Sequence, residues 1–295
     1  MIEFHSVSLA DREWIVERLK HRKDASCEYC FGNIYSYSKK MGIFVADCEN
    51  CLVVKCVIGN HISYAYPVGD GNVINALKEI EADARKSGKK CYVYAMTKDD
   101  ASVFENTFSE KYKAEQNRDA FDYVYKSEDL ITLSGKKFQP KRNHISYFKR
   151  NFNWNYEHIT KDNMTDCLEM SRKWLQQSNS EYKEDLEEEL KIIRCVFENY
   201  DELGYVGGLI RVDGEVVAYT MGEELSKDMF CVHFEKAFSD IRGAYPIINQ
   251  QFVQNELSLY TYINREDDVG AENLRKAKLS YNPVFLVEKY EAQIV

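Results

Sequence analysis

With 295 residues, the chain has length for about two domains. An apolar content of 44% and an aromatic content of 13% supply packed cores and exclude a disordered chain. The formal net charge of −9 excludes a general nucleic-acid coat and leaves room only for a local basic patch.

FHSVS (4–8) reads as a strand, LADREWIVERLKHR as a helix, and SCEYCFGNIYSYSKK as a second helix rich in aromatics. Three strands follow, IFVAD, CLVVKCVI and HISYAYPV, and then the amphipathic helix NVINALKEIEADARKSG. CYVYAM gives a strand, DDASVFENTF a helix, and KAEQNRDAFDYVYK further strands. Periodicity breaks at ITLSGKKFQPKRN (131–143), which contains Gly135 and Pro140.

The rest of the chain repeats the rhythm. WNYEHIT (154–160) alternates as a strand, and helices follow over 163–178 and 181–200. GYVGGLIRV and EVVAYTMGEEL are joined at Asp213-Gly214, a strong hairpin signal. DMFCVHFEKAF is a third strand, and SDIRGAY leads into the helix PIINQQFVQNEL. The strand SLYTYI, the helix VGAENLRKAKLS and the strand PVFLVEKYEA close the chain. The expected organisation is an N-terminal domain over 1–133, a basic connecting helix over 134–153 and a C-terminal domain over 154–295. Both domains are α/β, with a mixed, mostly antiparallel sheet flanked by helices.

Two segments contain C-x-x-C, Cys27 to Cys30 and Cys48 to Cys51, with 17 residues between them. Four-thiolate zinc sites use such spacing. Here one pair falls in the aromatic helix and the other opens an apolar strand, so packing cysteines and no metal are expected. No apolar run reaches the roughly 20 residues of a membrane span. The N-terminus also lacks the layout of a secretion signal. A cytoplasmic chain with reduced thiols is the expectation.

The order of elements resembles the GNAT acyltransferase fold, used twice. Ala271-x-x-Leu274 is placed like the helix that follows the penultimate GNAT strand. Leu133 to His144, Asn264 to Gly270 and Lys278 to Pro283 look like the soluble branch of the phosphatidylglycerol lysyltransferase C-terminal family. A tandem pair is also similar to the Fem-type aminoacyl-tRNA-dependent transferases. The resemblance implies a bacterial acyl- or aminoacyltransferase acting on an amine or hydroxyl. It further implies an aminoacyl-tRNA or acyl-CoA donor, with the second copy carrying the chemistry. A plain acetyl-CoA N-acetyltransferase and a non-catalytic ligand-binding module stand as alternatives.

Acyl transfer needs a base, donors for the developing oxyanion, and a cradle for the carrier. In a GNAT-like sheet the two central strands splay and leave a cleft. One wall would be Cys231 to Lys236, where alternation places His233 and Glu235 on one face and Lys236 on the other. The lysyltransferases carry an acid and a base three apart on this strand; here His233 and Lys236 hold that spacing. These three are the candidate catalytic residues, and a hydrogen-bonded structural role for His233 stays open beside that. The other wall would end in Asn264, Arg265, Glu266 and Asp267, with Lys278 and Tyr281 nearby as substrate contacts. The bland reading of that charge run is a solvated loop. Arg242, Gly243 and Tyr245 occupy the place of a pyrophosphate loop, which has one glycine here. An ordinary strand-to-helix turn fits as well. From Ser134 to Asn153 there are six Lys or Arg and no acids, interleaved with aromatics. That segment suits phosphates of a tRNA end, a nucleotide or a lipid head group, through Lys141, Arg142 and Asn143 above all. It also reads as an interdomain helix with a solvated basic face.

Overall fold

The computed structural model describes residues 2–22, 24–177 and 183–294. It divides into two compact units. Unit 1 comprises Met1–Asp122, Asp267–Arg275 and Leu286–Val295; unit 2 comprises Tyr123–Glu266 and Lys276–Phe285. The division falls earlier than the seam expected at 131–143, and short C-terminal stretches return to each unit. Among the described residues, no helix is long and apolar enough to cross a membrane.

The unit 1 sheet runs His5–Ser6, Ile43–Cys48, Cys51–Ile58, His61–Ala65, Lys90–Met96, Tyr290–Gln293, Glu115–Gln116. The other sheet runs Trp154–His158, Val206–Val212, Glu215–Ser226, Met229–Ala237, Tyr262–Asn264, Asp122–Lys126, Phe285–Val287. The two orders match place for place. In each, four antiparallel strands lead to one parallel neighbour, and the sixth place is taken by a strand from the other half of the sequence. Repeating patterns in the sequence anticipate the tandem plan but not this exchange, because strands of three to five residues carry too little periodicity to reveal their partners.

Local chemistry explains the regular parts. Helix Val73–Ser87 starts at Asn72, whose side chain accepts from Asn75 N (3.0 Å), and stops at Gly88 in the left-handed conformation. Its apolar stripe, Leu77, Ile80 and Ala84, packs on Val53, Ile62, Tyr64 and Val93 of the sheet. Asp213 and Gly214 both take positive φ (51° and 89°), the conformation that a two-residue hairpin turn needs. The helix expected over SCEYCFGNIYSYSKK is broken. A 3-10 turn over Cys27–Tyr29 precedes two short helices, Phe31–Ser36 and Ser38–Met41. Residues 178–182, where expected helices end and begin, lie outside the described residues.

The four C-x-x-C sulfurs do not share a site. Cys48 and Cys51 face each other across a tight hairpin whose turn is Glu49-Asn50, so one pair does sit on a turn, against expectation. Cys27 lies apart, grouped with Glu28 and Asp122. There the Lys289 ammonium takes the central place, 2.7 Å from Asp122 Oδ1, 2.7 Å from Glu28 Oε2 and 3.5 Å from Cys27 Sγ. Elemental analysis of chelator-free protein should therefore find well under one zinc per chain. A stoichiometric zinc with four sulfurs at about 2.3 Å would contradict this.

Candidate active site

Met229–Ala237 and Tyr262–Asn264 pair in parallel at three positions, ending with Cys231↔Asn264. Beyond them the two segments part. Arg265 N donates to Tyr123 O (3.0 Å) and Tyr123 N to Glu266 O (3.1 Å), so the chain past Asn264 follows the strand Asp122–Lys126. Val232 to Ala237 instead continue along Glu215–Ser226. The sheet of unit 2 is therefore split at its centre. The corresponding parallel pair in unit 1 stays joined from His61↔Lys90 to Ala65↔Tyr94, and Tyr66 N then bonds Tyr94 O (3.0 Å). Tyr29 OH closes that end by donating to the carbonyls of Tyr66 and Ala95 (3.0 and 3.2 Å).

Two polar clusters of unit 2 stand at the split. The first centres on His233, which a register shift sets apart: Met221 opposes Phe234 and Gly222 opposes Val232, leaving His233 without an opposite number. Such a bulge re-aims a side chain. The ring is 1% exposed, with Nδ1 2.7 Å from Glu266 Oε1 and Nε2 3.1 Å from Glu223 Oε1. Two carboxylates demand a donor at each nitrogen, which only the imidazolium supplies. Burial alone would lower the imidazole's pKa. Contact with the Cys231 sulfur and the two carboxylates outweighs burial and holds it well above the ordinary value. A doubly protonated ring has no lone pair for a proton, so this geometry does not make His233 the base expected from the sequence.

A measurement follows. Nitrogen-15 NMR of labelled histidine should find His233 protonated at both nitrogens at pH 7.5; a neutral tautomer there would contradict the assignment. Because its folded pKa is raised, its stabilising contribution is complete below about pH 6.5 and fades as pH climbs through the folded value.

The second cluster centres on Glu235. Its Oε1 accepts from Arg265 Nη2 (2.8 Å) and its Oε2 from Asn249 Nδ2 (3.2 Å). The Arg265 side chain is 12% exposed, with its guanidinium 4.9 Å from the Tyr281 ring centre and 5.6 Å from that of Tyr125. Arg265 Nη1 and Asn249 Oδ1 are buried and have no hydrogen-bond partner among the described residues. Lys141 approaches from helix Gln139–Asn151, with Nζ 3.9 Å from the Tyr281 ring centre. Burial, and next the Arg265 charge, push its pKa down to about 8 against the opposing pull of Glu235.

Not every residue expected at the site arrives there. Lys236 turns to the opposite face, as alternation requires, and binds Glu189 and the Trp174 ring, 4.1 Å away. Its ammonium is thus directed to Glu189 and Trp174 and not into either cluster. Arg142 binds the carbonyls of Leu133 and Gly135 and the Gln139 side chain, fastening the chain before the helix. Asn143 is exposed and accepts from Gln139 (2.8 Å). Lys141, Arg142 and Asn143 lie in a helix, which spreads their side chains around its circumference.

Arg242 lies over the Tyr147 ring at 4.5 Å. Gly243 has φ +96°, and a Cβ on it would stand 2.6 Å from His144 O. Close packing against helix Gln139–Asn151 therefore accounts for this glycine without a pyrophosphate. Tyr245 is partly buried, and burial raises its pKa, with the Glu235 charge adding to this. Asn264 is fully buried and accepts from Glu266 N (2.6 Å), which stabilises the positive φ (55°) of Glu266. Lys278 Nζ binds the Arg265 carbonyl. Asp267 belongs to unit 1 and accepts from Val269 N. Glu223, Asn249 and Tyr125 join the site without a motif that marks them in the sequence. The Gly222-Glu223 pair inside an apolar strand is the one local signal, since glycine there marks a bulge.

Comparison with known proteins places the chain. The family described as phosphatidylglycerol lysyltransferase, C-terminal, matches residues 20–293. An uncharacterised protein of Mycoplasmoides gallisepticum is 24% identical over 179 residues, which span 59% of this chain and 56% of that relative's length. The crystal structure of a conserved protein of unknown function from Bacteroides thetaiotaomicron is 36% identical, with a TM-score of 0.93 over 99% of both chains. A tandem GNAT protein from the clavulanic acid biosynthesis pathway has a TM-score of 0.56 at 9% identity, covering 100% of this chain and 99% of that one. The tandem GNAT-like fold expected from the sequence is the fold observed.

Proposed function

The chain belongs to the phosphatidylglycerol lysyltransferase C-terminal family, and from that premise we propose that it transfers an acyl or aminoacyl group to an amine or hydroxyl acceptor in unit 2. The observation that carries the reading is the Arg265 guanidinium. It is buried, fixed on one side by Glu235, and retains a buried N–H with no acceptor among the described residues. A preorganised donor of that kind, held among aromatic rings, suits a carbonyl oxygen that gains negative charge during attack. Glu235, itself held by the Asn249 amide, fixes the guanidinium, and the Asn249 carbonyl, unpaired among the described residues, suits an N–H or O–H of either substrate. The corresponding parallel strands of unit 1 stay joined where those of unit 2 part, which favours a structural role for that copy.

The donor proposed is an aminoacyl-tRNA, with the basic face of helix Gln139–Asn151 meeting phosphates of the acceptor end. An acyl-CoA donor is the less favoured form of the same chemistry, because the lone glycine of its usual loop is taken up by packing. The test uses bulk tRNA charged with a labelled amino-acid mixture and, in parallel, acetyl-CoA, each with hydroxylamine as acceptor. Loss of the donor's acyl group should exceed the blank rate with one of the two. Rates equal to the blank with both would remove the reading.

A further inference from the structure

Helix Gln139–Asn151 starts with Pro140 in its first turn and places Lys141 one residue later, where the side chain reaches the Tyr281 ring. The groups facing its amine are Arg265 beyond the strand Tyr262–Asn264, Glu235 of Met229–Ala237, and Tyr281 beyond the helix Glu272–Leu279. Tyr125 lies behind Arg265. Glu235 is already engaged at both oxygens, by Arg265 and by Asn249. One carboxylate thus serves two cations, and the guanidinium cannot release a proton. Relief of the surplus charge falls to Lys141.

We propose that Lys141 is the proton acceptor for the attacking nucleophile, a role that rests on the acyl-transfer reading above. As the acceptor's nitrogen or oxygen bonds to the acyl carbon, its proton passes to the neutral Lys141 Nζ. The bond from the acyl carbon to the donor's oxygen or sulfur then breaks. That leaving atom takes the proton back from the ammonium, and the neutral amine is restored. Nothing is oxidised or reduced. The direction of the perturbation agrees, since burial and the Arg265 charge bring the amine to about 8, where a useful neutral fraction exists near physiological pH. The other role open to a buried cation is to hold a donor anion, and an arginine would perform that equally well.

Two measurements on the full chain decide it. In the first, brief acetylation by acetic anhydride at pH 6 to 10 is read by peptide mass spectrometry. Lys141 should half-titrate near pH 8, about two units below N-α-acetyl-lysine added as an internal reference. Replacing Arg265→Met should move the Lys141 midpoint upward. Labelling of Lys141 in step with that reference would overturn the proposal and leave the acyl-transfer reading standing. In the second, the tRNA and hydroxylamine assay is run against pH with wild type, Lys141→Arg and Lys141→Met. Wild-type turnover should rise with pH to a plateau above about 8, and both variants should lose about 100-fold or more together with that limb. Wild-type-like turnover in Lys141→Arg would overturn the base and assign the amine to anion holding. Blank-level turnover in the wild type with tRNA and with acetyl-CoA would remove the acyl-transfer reading and this role with it.

Discussion

Lys289→Met is expected to destabilise the chain by about 3–5 kcal/mol, because it strands two carboxylates that the ammonium now neutralises. Asp122 is fully buried and Lys289 is 3% exposed, so water cannot replace the lost partner. Asp122 also accepts from Cys27 N (2.8 Å), which ties the 3-10 turn to the same cluster. Urea denaturation at pH 7 checks the figure, and the double variant with Asp122→Asn should recover part of it by removing one stranded charge. Equal stability of Lys289→Met and wild type would mean that the ion cluster contributes nothing net. The pH response has a sign at each end. Burial alone would raise the pKa of Glu28, but Lys289 outweighs it and lowers the value. That contribution is present above about pH 4.5 and is lost as pH falls through the folded value. Burial opposes the Lys289 charge, but Asp122 and Glu28 more than compensate and hold its pKa above 10.5. Its contribution is complete below that value and is lost only as pH rises past the raised one.

Arg265→Met should lower donor turnover by about 100-fold or more, the usual cost of deleting one preorganised oxyanion donor. A stability cost should accompany it, since the side chain packs on Tyr125 and Tyr281 and neutralises Glu235. Lys141 stands near enough to take over part of that neutralisation, so the stability loss should fall short of the Lys289 case. Arg265→Lys separates the two effects. It keeps a positive charge beside Glu235 but cannot supply two donors in one plane, so stability should recover further than turnover. Turnover restored to wild type by lysine would reduce the role of Arg265 to charge alone.

Much of this site was legible in the sequence because strand chemistry is local. A run that stays apolar through Ile263 and then becomes Asn264-Arg265-Glu266 announces the end of a buried strand, and those residues do stand at the split in the sheet. Alternation correctly sent Lys236 away from Glu235, although family spacing recommended it as a partner for His233. What stayed hidden depends on distant pairing. The bulge at His233 arises from its register with Glu215–Ser226, and no property of Cys231 to Lys236 specifies that register. Glu223 and Asn249 come from a strand and a helix that had no functional pattern of their own. The charge run from Asn264 to Asp267 also reads as one unit in the sequence. The structure shares it out: Arg265 goes to Glu235, Glu266 goes to His233, and Asn264 turns back on its own backbone.

The central claim is that the reacting carbonyl sits at Arg265 in the split of the unit 2 sheet. Crystals soaked with puromycin, a stable amide analogue of an aminoacyl-tRNA end, test it most directly. The predicted result is the amide carbonyl oxygen about 2.7–3.1 Å from Arg265 Nη1, with the Lys141 amine on the side from which a nucleophile approaches. Puromycin bound with its carbonyl away from Arg265, or displacing the Glu223–His233–Glu266 contacts to sit there instead, would contradict the account.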